Sequence, residues 1–198
     1  MVNTKHEIQP IKQSKSRFFA CYETSFSVLP RESLLVGVEK IDKLKPSNLV
    51  LERTQGQTPP VKFGVHEAKI FSISASQDLN SLITGDNHGR LIQYSIGNLF
   101  TTPPKMIRDF GDLKLGPVIS TVIFKHIAAV GGEKSKFLLL NLKTREILCS
   151  PVRTSIQYID SLQFCQIQKG FKVALIIVGT SHSSWESHLF DVSFRRKS

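Results

Sequence analysis

The residue types best suited to chemistry lie in one short segment, HSSWESH, which runs from His182 to His188. Two histidines with Glu186 between them could bind a metal ion or move a proton. Their spacing matches no standard zinc signature, and the segment is typical of a polar turn between two strands. We therefore expect no metal site there. We expect Trp185 either to pack onto its own sheet or to offer a contact to a partner.

The common catalytic signatures are missing from the sequence. It contains no GxSxG nucleophile elbow, no P-loop, no HExxH and no Cys-x-x-Cys. Cys21, Cys149 and Cys165 are an odd number at wide spacing, which favours reduced thiols over disulfides or a zinc site. The carboxylates are scattered, so spacing indicates no acid–base pair. These observations predict a protein that is not an enzyme and that uses no cofactor and no metal.

Composition indicates a folded chain of ordinary balance. Of its 198 residues, 40% are hydrophobic and 21% are charged, and the mean hydropathy is −0.07. No run approaches the roughly 18 apolar residues of a membrane span, and the first ten residues lack the apolar segment of a secretory signal. We expect a cytoplasmic protein without a transmembrane segment, with the nucleus as the alternative location.

The net charge of +10 and the pI near 9.7 favour acidic partners of some kind. The cationic residues are spread out, and no aromatic platform is interleaved with them, so the charge is typical of a solvated surface with a basic, disordered N-terminal tail over residues 1–16. The alternative is a basic module that binds nucleic acid or an anionic membrane. Its residues would be Lys12, Lys15, Arg17, Lys43, Lys45, Arg195 and Arg196.

The strongest pattern in the sequence is a four-fold repeat. Four serines, each within an alternating apolar and polar run, recur at intervals of 41 to 48 residues: Ser27, Ser72, Ser120 and Ser161. Four glycines that close a second apolar run recur at intervals of 46 to 48 residues: Gly37, Gly85, Gly131 and Gly179. Two markers with nearly the same period indicate four copies of one structural unit. We expect the glycines to serve tight turns that need a positive φ.

Each unit has the pattern of a four-stranded meander. A third strand follows each glycine as NLVLER, RLIQYS, FLLLNL and HLFDVS, and a weaker fourth strand follows in three units, at 61–65, 106–111 and 146–150. No segment shows comparable helical periodicity. A four-stranded unit of this length is typical of a propeller blade, because such a sheet buries its faces only against neighbouring sheets. A sandwich or barrel is the alternative, but it predicts no such recurrence.

The second unit resembles the WD-repeat propellers. Gly64-Val65-His66 stands near the usual glycine–histidine position, and Tyr94-Ser95 stands where tryptophan–aspartate is normal. Phe190-Asp191 in the fourth unit is a near match to that dipeptide, whereas Leu51-Glu52 and Leu140-Asn141 depart from it. His88 precedes Gly89 where the aspartate is expected, so we expect no unit to hold the complete histidine, serine, aspartate and tryptophan hydrogen-bond set.

The resemblance implies an all-β propeller-like array of about four four-stranded antiparallel blades over residues 17–194. The blades are predicted at about 25–65, 66–111, 117–151 and 157–194. The fourth unit lacks a last strand, and residues 17–24 could supply it, as in closed propellers. The array is therefore a closed four-blade ring, an open propeller completed by a partner or a second copy, or a piece of a longer chain.

The resemblance also implies function. Propellers of this family commonly act as protein–protein interaction scaffolds, binding partners through the rim of loops that joins strands and blades. Arginine and aromatic residues are favoured contacts at interfaces. The residues predicted to bind partners are His66, Glu67, Asn87, His88, Arg90, Lys114, Arg153 and Trp185. The predicted partners are other proteins, within a larger complex or as a second copy of this chain, with exposed blade edges as further contacts.

Overall fold

The computed structural model of the chain describes residues 27–29, 34–39, 47–53, 61–76, 81–95, 104–168, 172–181 and 184–192. Within these residues the protein consists of β-strands and connecting turns, with sixteen strands in four antiparallel sheets. The predicted all-β, blade-like fold is confirmed. The described part contains no helix long and apolar enough to cross a membrane.

The first two sheets are simple meanders in which each strand pairs with the next along the chain. Blade 1 contains β1 (Ser27–Leu29), β2 (Leu34–Glu39), β3 (Ser47–Arg53) and β4 (Val61–His66). Blade 2 contains β5 (Ile70–Ala75), β6 (Ser81–Asp86), β7 (Arg90–Ser95) and β8 (Lys105–Asp112).

The other two sheets depart from four regular strands. Blade 3 contains β9 (Val118–Phe124), β10 (Ile127–Gly132), β11 (Lys136–Asn141) and two short pieces, β12 (Glu146–Ile147) and β13 (Val152–Arg153), which both pair with β11. Blade 4 contains β14 (Tyr158–Gln168), β15 (Lys172–Ser181) and β16 (Ser184–Asp191). Its sheet has three strands within the described residues.

The outer strand of blade 3 is shorter than the predicted strand over 146–150. Leu148 N still donates to Leu139 O at 2.8 Å, but regular pairing stops at Ile147 and resumes at Val152. Pro151 lies in the gap and has no backbone N–H to donate. The predicted single strand is therefore two pieces separated by an irregular segment.

The hydrophobic core lies between the blades rather than within them. One cluster joins Leu49 of blade 1 to Ile70, Leu82 and Tyr94 of blade 2. A second cluster joins blade 2 to blade 3, and a third joins blade 3 to blade 4. The first strands carry much of this packing, because β5 contacts β9 and β9 contacts β14. Each blade therefore depends on its neighbours for burial.

Three of the repeated glycines lie within strands rather than in tight turns, and two of them lie at these interfaces. Gly85, Gly131 and Gly179 are in second strands, and none of them is among the glycines with positive φ. A Cβ built on Gly85 would lie 2.6 Å from Val118 Cβ in the next blade, and one on Gly131 would lie 2.6 Å from Ile159 Cγ2. The predicted turn role is therefore wrong at these three positions. Glycine at 85 and 131 is needed for close approach of the next blade.

The serine markers are only partly equivalent. Ser72 and Ser120 pair with the marker glycines of their own blades, but Ser27 and Ser161 pair with the residue before the glycine. The bulges of the strands differ in position, which shifts the register by one residue. Ser72 is buried and its Oγ donates to Val118 O at 3.2 Å, so this marker ties blade 2 to blade 3.

The interface role of Gly131 is testable by a double-mutant cycle. Gly131→Ala should lower the free energy of unfolding by about 1–3 kcal/mol, because its methyl group overlaps Ile159 of blade 4. In an Ile159→Ala background the same change should cost much less, since the overlapping Cγ2 is gone. Chemical denaturation of the four variants measures both values. If Gly131→Ala lowers the free energy of unfolding equally in both backgrounds, residue 131 does not contact Ile159 as the structure indicates.

The predicted closing strand over 17–24 and the predicted tail over 1–16 lie outside the described residues, so both remain predictions. Deleting residues 1–24 should destabilise the protein strongly if 17–24 complete the last sheet. Deleting residues 1–16 is the matched control and should leave the thermal midpoint unchanged. Similar midpoints for the two truncations would show that residues 17–24 add no strand.

Candidate functional site

A buried chain of polar side chains links the last residue of β4 in blade 1 to strands β6 and β7 of blade 2. His66 Nδ1 lies 3.0 Å from Asp86 Oδ2, and His66 Nε2 lies 2.7 Å from Thr84 Oγ1. The hydroxyl of Tyr94 is hydrogen-bonded to Thr84 in turn. The His66 side chain is 0% exposed and Asp86 is 2% exposed. These groups satisfy one another where water cannot reach them, as buried polar groups require.

The same network fixes the turn between β6 and β7. Asp86 Oδ1 accepts hydrogen bonds from the backbone N–H groups of His88 and Arg90, both at 3.0 Å. Gly89 closes the turn with a φ of +85°, a conformation that suits glycine. The Asp86 carboxylate therefore positions the backbone that carries Asn87 and His88.

One prediction about this region is wrong. His66 is not a rim contact, because it is fully buried against Asp86 and Thr84. The histidine, serine, aspartate and tryptophan set is not retained, but a related chain forms in which Asp86, two residues before His88, provides the carboxylate. Thr84 and Tyr94 stand at the serine and tryptophan positions. The sequence pattern that could have indicated this network is Thr84-x-Asp86. Side chains at positions i and i+2 of a strand lie on the same face of the sheet, so both can reach one histidine.

Among the residues that the structure describes, this arrangement occurs at blade 2 and not at blade 3. The residues on either side of the marker glycine are Val36 and Val38 in the first unit and Val130 and Gly132 in the third. In blade 3, Val130 joins an apolar cluster that includes Leu115 and Leu140. Hydrophobic packing thus replaces the polar network there.

The environment shifts the acidities of two network residues. Burial raises the pKa of Asp86, but hydrogen bonds from His66 and from the Arg90 and His88 backbones outweigh it, so the pKa lies below the ordinary 3.8. Burial raises the pKa of Tyr94 to about 12, despite its hydrogen bond with Thr84. Asp86 is therefore ionised and Tyr94 neutral at pH 7.

Four of the other predicted contact residues gather beside the β6–β7 turn. Glu67 and His88 are exposed, and Asn87 and Arg90 are partly exposed. Arg90 pairs with Asp109, with Nη2 2.6 Å and Nε 3.0 Å from Asp109 Oδ2. Glu67 adds a further favourable interaction with the Arg90 charge. The result is a mixed-charge surface over the buried network.

The remaining predicted contacts lie at the same end of the blades. Leu113 N donates to Gly89 O at 3.1 Å, which brings the Lys114 loop next to the β6–β7 turn. In the strand register, Arg153 is opposite Lys136, the first residue of β11, and Trp185 is opposite Thr180 near the start of β16. We call this end the rim, defined by Glu67, Asn87, His88, Arg90, Lys114, Arg153 and Trp185.

The segment HSSWESH contributes a small polar cluster rather than a catalytic arrangement. His188 Nε2 lies 3.0 Å from Ser155 Oγ and 3.4 Å from Glu186 Oε2, while Ser155 Oγ donates to the same carboxylate at 3.2 Å. A nucleophilic triad needs the serine and the carboxylate on opposite ring nitrogens. Here both partners meet Nε2, so the serine is not activated in that way. His182 lies outside the described residues. Within the described part of the chain, no group of three metal-binding side chains occurs.

The seven basic residues predicted to bind nucleic acid or anionic lipid all lie outside the described residues. These are Lys12, Lys15, Arg17, Lys43, Lys45, Arg195 and Arg196. The basic-module alternative therefore remains a prediction from the sequence.

Comparison with known proteins identifies the fold. No protein-family model and no curated protein matches the sequence. Among solved structures, the chain is similar to the WD40 repeats of RRP9 (TM-score 0.64, 9% identity, 84% of this chain and 50% of that one). It is also similar to a chain of the mitotic checkpoint complex (0.59, 12%, 83% and 52%). A third match is the computationally designed protein Ika4 (0.61, 12%, 94% and 98%).

These similarities define a class rather than a function. The chain has a WD40-like fold, and it spans about half the length of the WD40 repeat chain of RRP9. Its four sheets are the blades of a partial propeller. At identities of 9 to 12%, the similarity concerns the fold alone.

The network can be tested through the pH dependence of stability. The folded-state pKa of Asp86 lies below 3.8, so its contribution is complete well above pH 3.8 and is lost as the pH falls through that lower value. Asp86→Asn should lower the free energy of unfolding at pH 7 by about 1–3 kcal/mol. It should also flatten the dependence of that free energy on pH between about 5 and 2.

The matched control for this test is Asp160→Asn, which changes an exposed carboxylate outside the network. Its stability should follow the wild type at every pH. If the Asp86→Asn and wild-type curves run parallel across the acid range, the network does not hold Asp86 in its ionised form.

Proposed function

We propose that this chain is a non-catalytic interaction scaffold that binds other proteins through the rim. The observation that supports this most directly is the fixed backbone beneath the rim. A single buried carboxylate, Asp86, holds the β6–β7 turn by two backbone hydrogen bonds while it is itself held by His66. Residues on such a backbone have fixed main-chain positions before a partner arrives.

Preordering matters because association loses conformational freedom. Loops that become fixed only on binding reduce the affinity, whereas a surface that is already fixed avoids that cost. Here the ion pair between Arg90 and Asp109 also orders an arginine at the rim. Exposed ion pairs of this kind contribute little to stability, so the pair can exchange partners when a protein binds.

Trp185 provides the apolar part of the surface. Its side chain is 71% exposed on β16, although tryptophan is usually highly buried. Tryptophan and arginine are the residue types that most often carry binding energy at interfaces. A rim that offers Trp185, Arg153 and the charges around Arg90 therefore suits a protein partner better than a small molecule.

The proposal is tested by affinity capture with matched variants. His88→Ala combined with Arg153→Ala and Trp185→Ala should abolish capture of rim partners, because it removes contacts but no buried group. Lys125→Ala combined with Lys143→Ala is the control, since both lysines are exposed at the opposite end of blade 3. Quantitative mass spectrometry measures the proteins captured at physiological salt from cell extract, with and without nuclease treatment.

A set of proteins retained by the wild type and the lysine control but lost from the rim variant is the expected result. Identical capture by all three chains would contradict a binding role for the rim. Capture that disappears after nuclease treatment would favour the nucleic-acid alternative instead, because such binding depends on phosphate contacts.

A further inference from the structure

A groove lies between the outer strands of blades 2 and 3. It has a volume of about 580 Å³, within the usual range for a binding cleft. Blade 2 contributes side chains of β8, and blade 3 contributes the β11–β12 turn and the start of its outer strand. The residues that line it are Arg108, Phe110, Arg145, Glu146, Ile147 and Leu148.

The groove combines an apolar floor with exposed apolar side chains. Phe110 is partly buried and packs against the core cluster between the two blades. Ile147 is 54% exposed and Leu148 is 42% exposed, so both leave apolar surface in contact with water. Exposed apolar patches in a concave surface are typical of interaction sites.

Two arginines line the groove without an ion-pair partner in the described part of the chain. Among the residues that the structure describes, neither Arg108 nor Arg145 forms an ion pair. The Arg108 guanidinium lies over the Phe110 ring, 5.7 Å from its centroid, which holds the group at the wall of the groove. The adjacent Asp109 cannot neutralise it, because its carboxylate is engaged by Arg90.

From this geometry we infer that the groove binds an acidic peptide segment with a bulky apolar side chain at its centre. The apolar side chain would occupy the space between Phe110 and Leu148, and flanking carboxylates would accept paired hydrogen bonds from the two guanidinium groups. The net charge of +10 attracts such a segment from a distance. Glu146 is a carboxylate in the lining and limits how closely the peptide charges approach that wall.

This site is separate from the rim. Arg145 lies in the β11–β12 turn, at the opposite end of β11 from Lys136, which pairs with Arg153 of the rim. The inference goes beyond the proposed function, and its failure would leave binding at the rim intact.

The test uses three fluorescein-labelled nonapeptides and fluorescence anisotropy at physiological salt. The first has Leu-Phe at its centre and Asp and Glu elsewhere. The second replaces the acids with Asn and Gln, and the third replaces Leu-Phe with Ser-Ser. The full chain should bind the first peptide at least tenfold more tightly than either of the others, because the groove uses both charge and apolar contact.

Variants then assign the binding to the groove. Arg108→Ala and Arg145→Ala should each weaken binding of the acidic peptide about tenfold, and the Lys variants should give intermediate losses, because lysine keeps the charge but not the paired geometry. Glu146→Gln should strengthen binding about twofold to fivefold. Lys143→Ala, in the same turn but outside the lining, is the matched control and should change little. Thermal unfolding checks that each variant is folded.

Four outcomes would overturn the inference. The first is that the acidic peptide does not bind the wild type, and the second is that the amide peptide binds equally well. The third is that both arginine variants keep the wild-type affinity. The fourth is that heparin displaces the peptide equally from the wild type and from the Arg108 and Arg145 variants. The last result would show general attraction of polyanions to a basic chain.

Discussion

The packing of one blade's second strand against the next blade's first strand is the contact on which the rest of the structure depends. Gly85 and Gly131 have no side chain at the points where Val118 and Ile159 approach. Side chains of β5 add hydrogen bonds to β9, with Ser72 Oγ 3.2 Å from Val118 O and Ser74 Oγ 2.6 Å from Thr121 O. Because the apolar clusters span these interfaces, no single sheet buries its own faces, and the fold is stable only as a stack.

The buried contacts of the blades are of two kinds, polar and apolar, and the polar kind positions the candidate surface. A polar chain from Asp86 through His66 and Thr84 to Tyr94 joins the end of blade 1 to blade 2, whereas blade 3 has apolar residues at the corresponding positions. A buried polar network is costly unless every member is paired, so it is sensitive to substitution. The network also holds the β6–β7 turn, because Asp86 accepts hydrogen bonds from its backbone N–H groups. Apolar packing provides no such hydrogen bonds. At blade 2 the backbone of the rim is therefore held by a buried carboxylate.

Much of the fold could be predicted from the sequence, because alternation and recurrence are properties of strands themselves. The contacts between strands could not. The reason for the glycines lies in residues of another blade, as with Gly131 and Ile159. His66 resembled a surface residue because its partners, Thr84 and Asp86, are about twenty positions away. The groove joins β8 to a turn more than thirty residues later, and no local pattern marks such a pair. The position of the rim residues followed from the repeat alone, since turns at equivalent strand ends fall together.

Native-state hydrogen exchange, resolved to individual amides, tests the central claim most directly. If burial between blades stabilises the fold, the slowest exchange should occur in β6, β10 and the middle of β15, and β9 should follow. The outer pieces β12 and β13 should exchange much faster, because their side chains are largely exposed. Protection that is strongest in the outer strands, or that is lost blade by blade without coupling between neighbours, would contradict a structure held together by inter-blade packing.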